Sequence, residues 1–273
     1  MSDDRPIGVF DSGVGGLTVV RAIMDELPRE SVVYFGDTAR YPYGPRPLPE
    51  IREFAVQIAR HLLRQDVKLI VVACNSATAA AIDQVSAEVP LPVIGVIAPA
   101  VRAAARATRN GRVGLIGTEA TVASGAYARA FRRAAPGVEV FARACPRFVE
   151  FVESGDTTGT EVMSAAVEYL DPLKKAAVDT LILGCTHYPL LRGAIHHIMG
   201  PQVLLLSSAE ETAVDVYDVL STRGLLSSGA HAPRHRFESS GDPSLFSLLG
   251  RRFLGPEFVA AERVGLEPIG TRR

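Results

Sequence analysis

Eight short apolar runs punctuate the first 206 residues, at 7–10, 32–35, 69–73, 93–96, 113–116, 138–141, 181–183 and 203–206. None alternates strictly between apolar and polar residues. Each therefore reads as a strand buried on both faces, the pattern of a parallel sheet covered by helices on either side. The intervening segments carry a helical period. Leu17, Val20, Met24 and Leu27 fall at helical spacing, as do Ile51, Phe54, Ala55, Ile58 and Leu62, and again Ala213, Val216, Tyr217 and Leu220. Strands alternating with amphipathic helices specify α/β architecture.

The runs also repeat. Ile7-Gly8-Val9-Phe10-Asp11-Ser12 resembles Val113-Gly114-Leu115-Ile116-Gly117-Thr118, and Val32-Val33-Tyr34-Phe35 resembles Val138-Glu139-Val140-Phe141, both at an offset of 106 residues. Val71-Val72-Ala73-Cys74 aligns with Ile182-Leu183-Gly184-Cys185 at 111, and Val93-Ile94-Gly95-Val96 with Val203-Leu204-Leu205-Leu206 at 110. Four matches in one order predict two pseudo-symmetric lobes, 1–97 and 98–207, each a mostly parallel sheet flanked by helices, with a cleft between them. The remaining segment, 208–273, begins with helical pattern and is expected to pack back on the first lobe.

Charge and cysteine usage narrow the function. Lys and Arg total 29 against 30 Asp and Glu, a formal charge of −1. That balance argues against binding nucleic acid by phosphate neutralisation. No apolar stretch approaches the ~20 residues of a membrane span, and residues 1–6 lack the basic-then-apolar order of a signal peptide. Three widely spaced cysteines make neither a disulfide framework nor a zinc site. The expectation is a cytoplasmic protein with reduced thiols and neither nucleic-acid nor membrane partners.

Each half ends a strand with Cys and small polar residues: Cys74-Asn75-Ser76 and Cys185-Thr186-His187. Ligands of parallel sheets bind outside the carboxyl ends of the strands, so the repeat places two thiols on opposite walls of one cleft. Inverting a carbon that bears a hydrogen needs a base on one face and an acid on the other. A thiol and a thiolate exchange those roles on reversal, with a free pKa of about 8.5 that neighbours can move. Asp11, at the first strand tip, is a candidate partner or a helix-capping residue. His187 is a candidate partner for Cys185 or a loop histidine. Cys145, off the repeated tips, reads as a packed core thiol.

The turn Asp11-Ser12-Gly13-Val14-Gly15-Gly16 suits either an anion-binding helix start or, more simply, a tight strand-to-helix turn; it is not a nucleotide fingerprint. Tyr43 and Gly44 lie in a turn-rich loop that either lines the pocket or only connects. Thr118 and Thr121 follow the second-half counterpart of the Asp11 strand and either bind a carboxylate or cap the next helix. No lysine sits in a motif for a pyridoxal Schiff base, and His196, His197, His231 and His235 read as surface residues. No cofactor and no metal are expected.

Four motifs carry a resemblance: residues 7–19 (IGVFDSGVGGLTV), 34–44 (YFGDTARYPYG), 73–77 (ACNSA) and 183–189 (LGCTHYP). Together they resemble bacterial glutamate racemase, of the aspartate/glutamate racemase superfamily, from residue 7 to about 220. The resemblance implies cofactor-independent interconversion of L- and D-glutamate, supplying D-glutamate for peptidoglycan, by a homodimer of two-lobed α/β subunits. It implies Cys74 and Cys185 as the catalytic acid–bases, Asp11 as partner of Cys74 and His187 as partner of Cys185. It also implies a glutamate near the second cysteine, for which Glu153 matches better than Glu150. Substrate binding is implied for Asp11, Ser12, Tyr43, Gly44, Asn75, Ser76, Thr118, Thr121, Thr186 and His187. Ser76 departs from the usual Thr and keeps the hydroxyl. Nothing is implied for residues beyond about 221.

Overall fold

A computed structural model describes residues 2–266. The eight apolar runs form eight strands: β1 (Ile7–Asp11), β2 (Val32–Gly36), β3 (Leu69–Val72), β4 (Val93–Gly95), β5 (Arg112–Gly117), β6 (Glu139–Ala144), β7 (Thr180–Gly184) and β8 (Leu204–Ser207). Two more follow, β9 (Arg236–Ser239) and β10 (Ala261–Arg263). The helices are α1 (Leu17–Glu26), α2 (Leu48–Arg64), α3 (Asn75–Glu88), α4 (Ile97–Ala107), α5 (Glu119–Ala123), α6 (Ala126–Ala134), α7 (Arg147–Ser154), α8 (Thr160–Lys175), α9 (Arg192–Met199), α10 (Ser208–Thr222) and α11 (Pro243–Leu254).

The strands make two sheets, ordered β10-β9-β2-β1-β3-β4 and β6-β5-β7-β8. Every pairing is parallel. The order β2-β1-β3-β4 recurs as β6-β5-β7-β8, so the sequence repeat is a repeat of topology. All five residues of β1 and of β7 are buried, as two-sided coverage requires. Strand β6 differs: it is an edge strand whose residues are half-buried or exposed. Only β5 pairs with it, so one flank meets solvent.

The helices close the sheets through the periodic faces read from the sequence. Leu17, Val20 and Leu27 pack into the same apolar cluster as β1 and β3, with Ile23 buried beside them and Met24 only partly buried at its border; Ala213, Val216 and Leu220 of α10 complete it. Tyr217 is 42 % exposed, at the border of that stripe. Ile51, Phe54, Ala55, Ile58 and Leu62 of α2 cover the opposite face of the sheet. Each fully buried Val, Ile or Leu contributes about 1.5–3 kcal/mol. Helix α2 starts behind Pro47, carries Glu50 in its first turn and ends on Arg64, charges that suit the helix dipole.

Beyond β8 the chain returns to the first sheet. Helix α10 packs along α1, and β9 and β10 extend the sheet past β2. A buried ion pair fixes this return: Lys68 Nζ lies 2.5 Å from Glu30 and donates to the carbonyls of Asp3 (2.6 Å) and Leu225 (2.8 Å). Glu30 in turn accepts from the Ser227 amide at 2.8 Å. A second buried contact, His61 Nε2 to Glu238 at 2.6 Å, ties α2 to β9. Residues 267–273 of the returning segment lie outside the described residues. Among the described residues, no helix is long and apolar enough to cross a membrane.

Candidate active site

Because all strands within each sheet run parallel, their carboxyl ends gather at one edge. There a cavity of about 330 Å³ opens between the sheets. It is lined by Asp11 and Ser12 after β1, Cys74, Asn75 and Ser76 after β3, Thr118 after β5, and Cys185, Thr186 and His187 after β7. Tyr43 and Gly44 line it from the loop before α2, and Glu153 from the last turn of α7. Thr121 alone of the residues singled out stands behind the wall, its hydroxyl 3.0 Å from that of Thr118 and 3.3 Å from that of Ser76.

Cys74 occupies the N-cap of α3, where its sulfur accepts from the Ala77 amide at 3.5 Å. It also approaches the Ser12 hydroxyl at 3.8 Å. Burial pushes the Cys74 thiol well above the usual range, and the Asp11 charge adds to this; the Ala77 and Ser12 bonds pull the other way. Asp11 does not cap α1, which has no side-chain cap. Its carboxylate accepts from Ser12 Oγ at 2.8 Å and from Thr186 Oγ1 at 2.9 Å. Asp11 thus joins the surroundings of both cysteines.

Cys185 follows β7 directly and meets His187 Nδ1 at 3.8 Å. The other ring nitrogen, Nε2, lies 3.1 Å from Glu153 Oε1. Burial pulls the His187 pKa down, but the bonds to Cys185 and Glu153 together outweigh it and raise it to about 10. Those two bonds favour the protonated form of the imidazole. Glu150 also lines the cavity; the bond to His187 belongs to Glu153.

The Gly-rich turn serves close packing. A Cβ on Gly15 would stand 2.3 Å from Thr186 Oγ1 and 2.5 Å from His187 Nδ1. Glycine there lets the second sheet's Cys-Thr-His segment approach the first sheet's turn. Thr118 both lines the cavity and caps α5, accepting from the Thr121 amide at 3.3 Å. The Gly44 carbonyl accepts from the Ala120 amide at 2.9 Å, bridging the two halves. The buried Tyr43 hydroxyl donates to Asp37. Cys145 is fully buried in the second core.

Two features of the site, Tyr41 in its lining and Tyr127 behind Asn75, escape sequence reasoning. Tyr41 lies inside a quoted motif yet carried no assigned role; its ring sits 6.4 Å from that of His187. Burial raises its hydroxyl pKa, and the adjacent Glu153 charge raises it further. Tyr127 comes from α6 and donates to Asn75 Oδ1 at 2.7 Å. That leaves Asn75 Nδ2 buried without a partner at the cavity wall, a donor for a ligand oxygen. Among the described residues, no three His, Cys, Asp or Glu side chains are grouped to hold a metal ion.

Two repeated parallel sheets, with a cavity between them that gathers polar side chains and a thiol from each, define a class of two-lobed α/β enzyme. The chain belongs to the Asp/Glu/Hydantoin racemase family, whose model matches residues 7–216, and is an isomerase of the racemase class. It is 57 % identical over 266 residues to a glutamate racemase of Beutenbergia cavernae, covering 93 % of this chain and 91 % of the relative. A glutamate racemase of Corynebacterium diphtheriae is 54 % identical, with 96 % and 98 % covered. The crystal structure of glutamate racemase from Francisella tularensis in complex with D-glutamate superposes with a TM-score of 0.91 at 39 % identity, covering 97 % of this chain and 99 % of that one. A Bacillus anthracis glutamate racemase gives 0.90 at 40 % identity, with 96 % and 97 % covered.

Proposed function

We propose that this enzyme interconverts L- and D-glutamate by two-cysteine acid–base chemistry without a cofactor. In this reading Cys185 as thiolate removes the α-proton of L-glutamate, and Cys74 as thiol protonates the opposite face. Reversal exchanges the roles. Asp11 serves Cys74, and His187 with Glu153 serves Cys185. The carbanion-like transition state places charge on the α-carboxylate, and fixed donors in a water-poor cavity stabilise that charge. The unpartnered Asn75 amide, the hydroxyls of Ser12, Ser76, Thr118 and Thr186, and the walls at Tyr43 and Gly44 form the substrate site, with Thr121 holding Ser76 and Thr118 from behind. The product supplies peptidoglycan synthesis in the cytoplasm, and the working unit is a homodimer. Each subunit works between lobes 1–97 and 98–207, with the returning segment from 208 as far as it is described packed on the first.

The observation that carries this reading is the pair of buried thiols, one from each sheet, in a single cavity with separate proton-handling partners. The names of the relatives and the D-glutamate in the Francisella tularensis structure point to the substrate. The deciding experiment runs L-glutamate to low conversion in D₂O, with no added metal or pyridoxal phosphate. Early D-glutamate should carry deuterium while recovered L-glutamate stays mostly unlabelled, and the mirror result should follow from D-glutamate. Protium retained in early product, or equal early labelling of both isomers, rejects two-base chemistry. Faster turnover of aspartate than of glutamate rejects the substrate.

A further inference from the structure

Helix α11 belongs to the first sheet's side of the molecule. Phe246 and Leu254 are part of the first-sheet core, and the helix packs on α1, β9 and β10. Yet two consecutive residues near its end reach the second sheet's side. Phe253 packs against the apolar cores of both sheets. Its ring meets that of His187 edge-on, with centroids 5.6 Å apart at 82°. Arg252 donates from Nη1 to the main-chain carbonyl of Glu153 at 2.9 Å. That carbonyl lies in the last turn of α7, where carbonyls lack helical partners and carry the negative end of the dipole. Gly155, with φ +84°, terminates α7, and a Cβ there would stand 3.1 Å from Arg252 Nη1.

We infer that Arg252 and Phe253 are positioning residues for Cys185: one fixes the helix end that carries Glu153, the other fixes the ring plane of His187. An edge-on aromatic contact has a preferred geometry and so defines the orientation of the ring. The Glu153–His187–Cys185 chain is thus oriented from the opposite lobe, so its geometry depends on how the two lobes are seated. At Cys74 the sulfur's own contacts, Ser12 and Ala77, come from its own sheet's side, and the opposite lobe reaches its surroundings through short polar bonds, Thr186 to Asp11 and Tyr127 to Asn75, rather than through a returning helix.

The inference rests on the two-cysteine reading above, and its test separates the two. Enantiomers have equal free energy, so kcat/KM must fall by the same factor from either isomer and cannot show which thiol is impaired. Primary isotope effects can. With α-deuterated substrates, Phe253→Ala and Phe253→Leu should lower kcat/KM about ten- to a hundredfold. The isotope effect should rise from L-glutamate, because transfer at Cys185 becomes the slower step, and fall from D-glutamate. Arg252→Ala should shift both effects in the same directions with a smaller loss of rate, and Arg252→Lys should recover most of it. Leu248→Ser, on the exposed face of α11, should leave the effects at parental values.

A rate loss with unchanged isotope effects, or equal changes from both isomers, overturns the positioning role and leaves a purely structural one. A rise from D-glutamate instead supports positioning and overturns the assignment of Cys185 to the L-isomer. A parent enzyme that does not racemise glutamate overturns the reading before any variant is compared. Phe253→Leu keeps most of the packing, so the test survives if Phe253→Ala fails to fold.

Discussion

The two cysteines sit at equivalent strand tips and are furnished differently. Cys74 starts a helix at once, and its sulfur meets an amide and a hydroxyl, both uncharged donors or acceptors. The Asp11 charge disfavours its thiolate, and Cys185 across the cavity adds to this. Cys185 is followed by a 3₁₀ turn, Tyr188–Leu191, before α9 begins. That detour gives His187 room to fold back onto the sulfur and reach Glu153. A duplicated scaffold therefore holds one thiol among an amide, a hydroxyl and the Asp11 carboxylate, and the other against an imidazole backed by Glu153. The comparison teaches that a repeat of topology is not a repeat of surroundings. On the two-cysteine reading proposed above, inversion runs between unlike groups.

The severest way to break the comparison is to remove either sulfur. Cys74→Ala and Cys185→Ala should each lower racemisation about a thousandfold or more in both directions, the upper range for a lost acid–base group. Full activity in either variant ends the paired assignment. A sharper probe exchanges charge for an isostere. Asp11→Asn and His187→Asn should each cost about ten- to a hundredfold in kcat/KM, with thiol-alkylation rates changing at different sulfurs. Peptide mapping of the alkylated sites distinguishes this from a common effect on folding.

Stability gives a further contrast. His187 has a pKa of about 10 when folded and about 6.5 when unfolded. Its contribution to stability is fully present below pH 6.5 and is lost progressively as pH rises through about 10, with a slope of at most about 1.4 kcal/mol per pH unit. Urea unfolding between pH 6.5 and 8.5 should show this decline, and His187→Asn should flatten it. Gly15→Ala should destabilise by about 1–3 kcal/mol, the cost of overpacking, because its Cβ would strike Thr186 and His187. A Gly15→Ala protein of parental stability would mean that the two halves are not held this closely. The smallest effect belongs to the third thiol. Cys145→Ala should keep turnover within a few-fold of the parent, measured on protein shown to be folded.

Elements with a strong apolar signal were legible in the sequence. All eight strand runs, the helical stripes of α1 and α2, and the common strand order of the halves follow from short-range pattern. Strands β9 and β10 did not announce themselves. Arg236-Phe237-Glu238-Ser239 carries one apolar side chain, and Glu238 is buried only because His61, 177 residues away, meets it. The site was legible where chemistry clusters in sequence, as at 11–12, 74–76 and 185–187. The distinction between Glu153 and Glu150 needed the turn of α7. Tyr127 on Asn75 and Arg252 on Glu153 join residues 52 and 99 apart, and no local pattern encodes such pairs.

The return of the chain to the first sheet has a consequence for synthesis. Strands β5 to β8 are contiguous in sequence, whereas the first sheet waits for β9, which pairs with β2, and for the Leu225 carbonyl and Ser227 amide that close around Lys68 and Glu30. A chain emerging from the ribosome can assemble the second sheet as soon as residue 207 is clear, since domains form as units during translation. The earlier-made sheet must meanwhile carry an open β2 edge and a buried charge pair without its Leu225 and Ser227 partners. The half of the molecule made first is thus the half completed last, and the cavity between the sheets takes its final form only as the last strands are laid down.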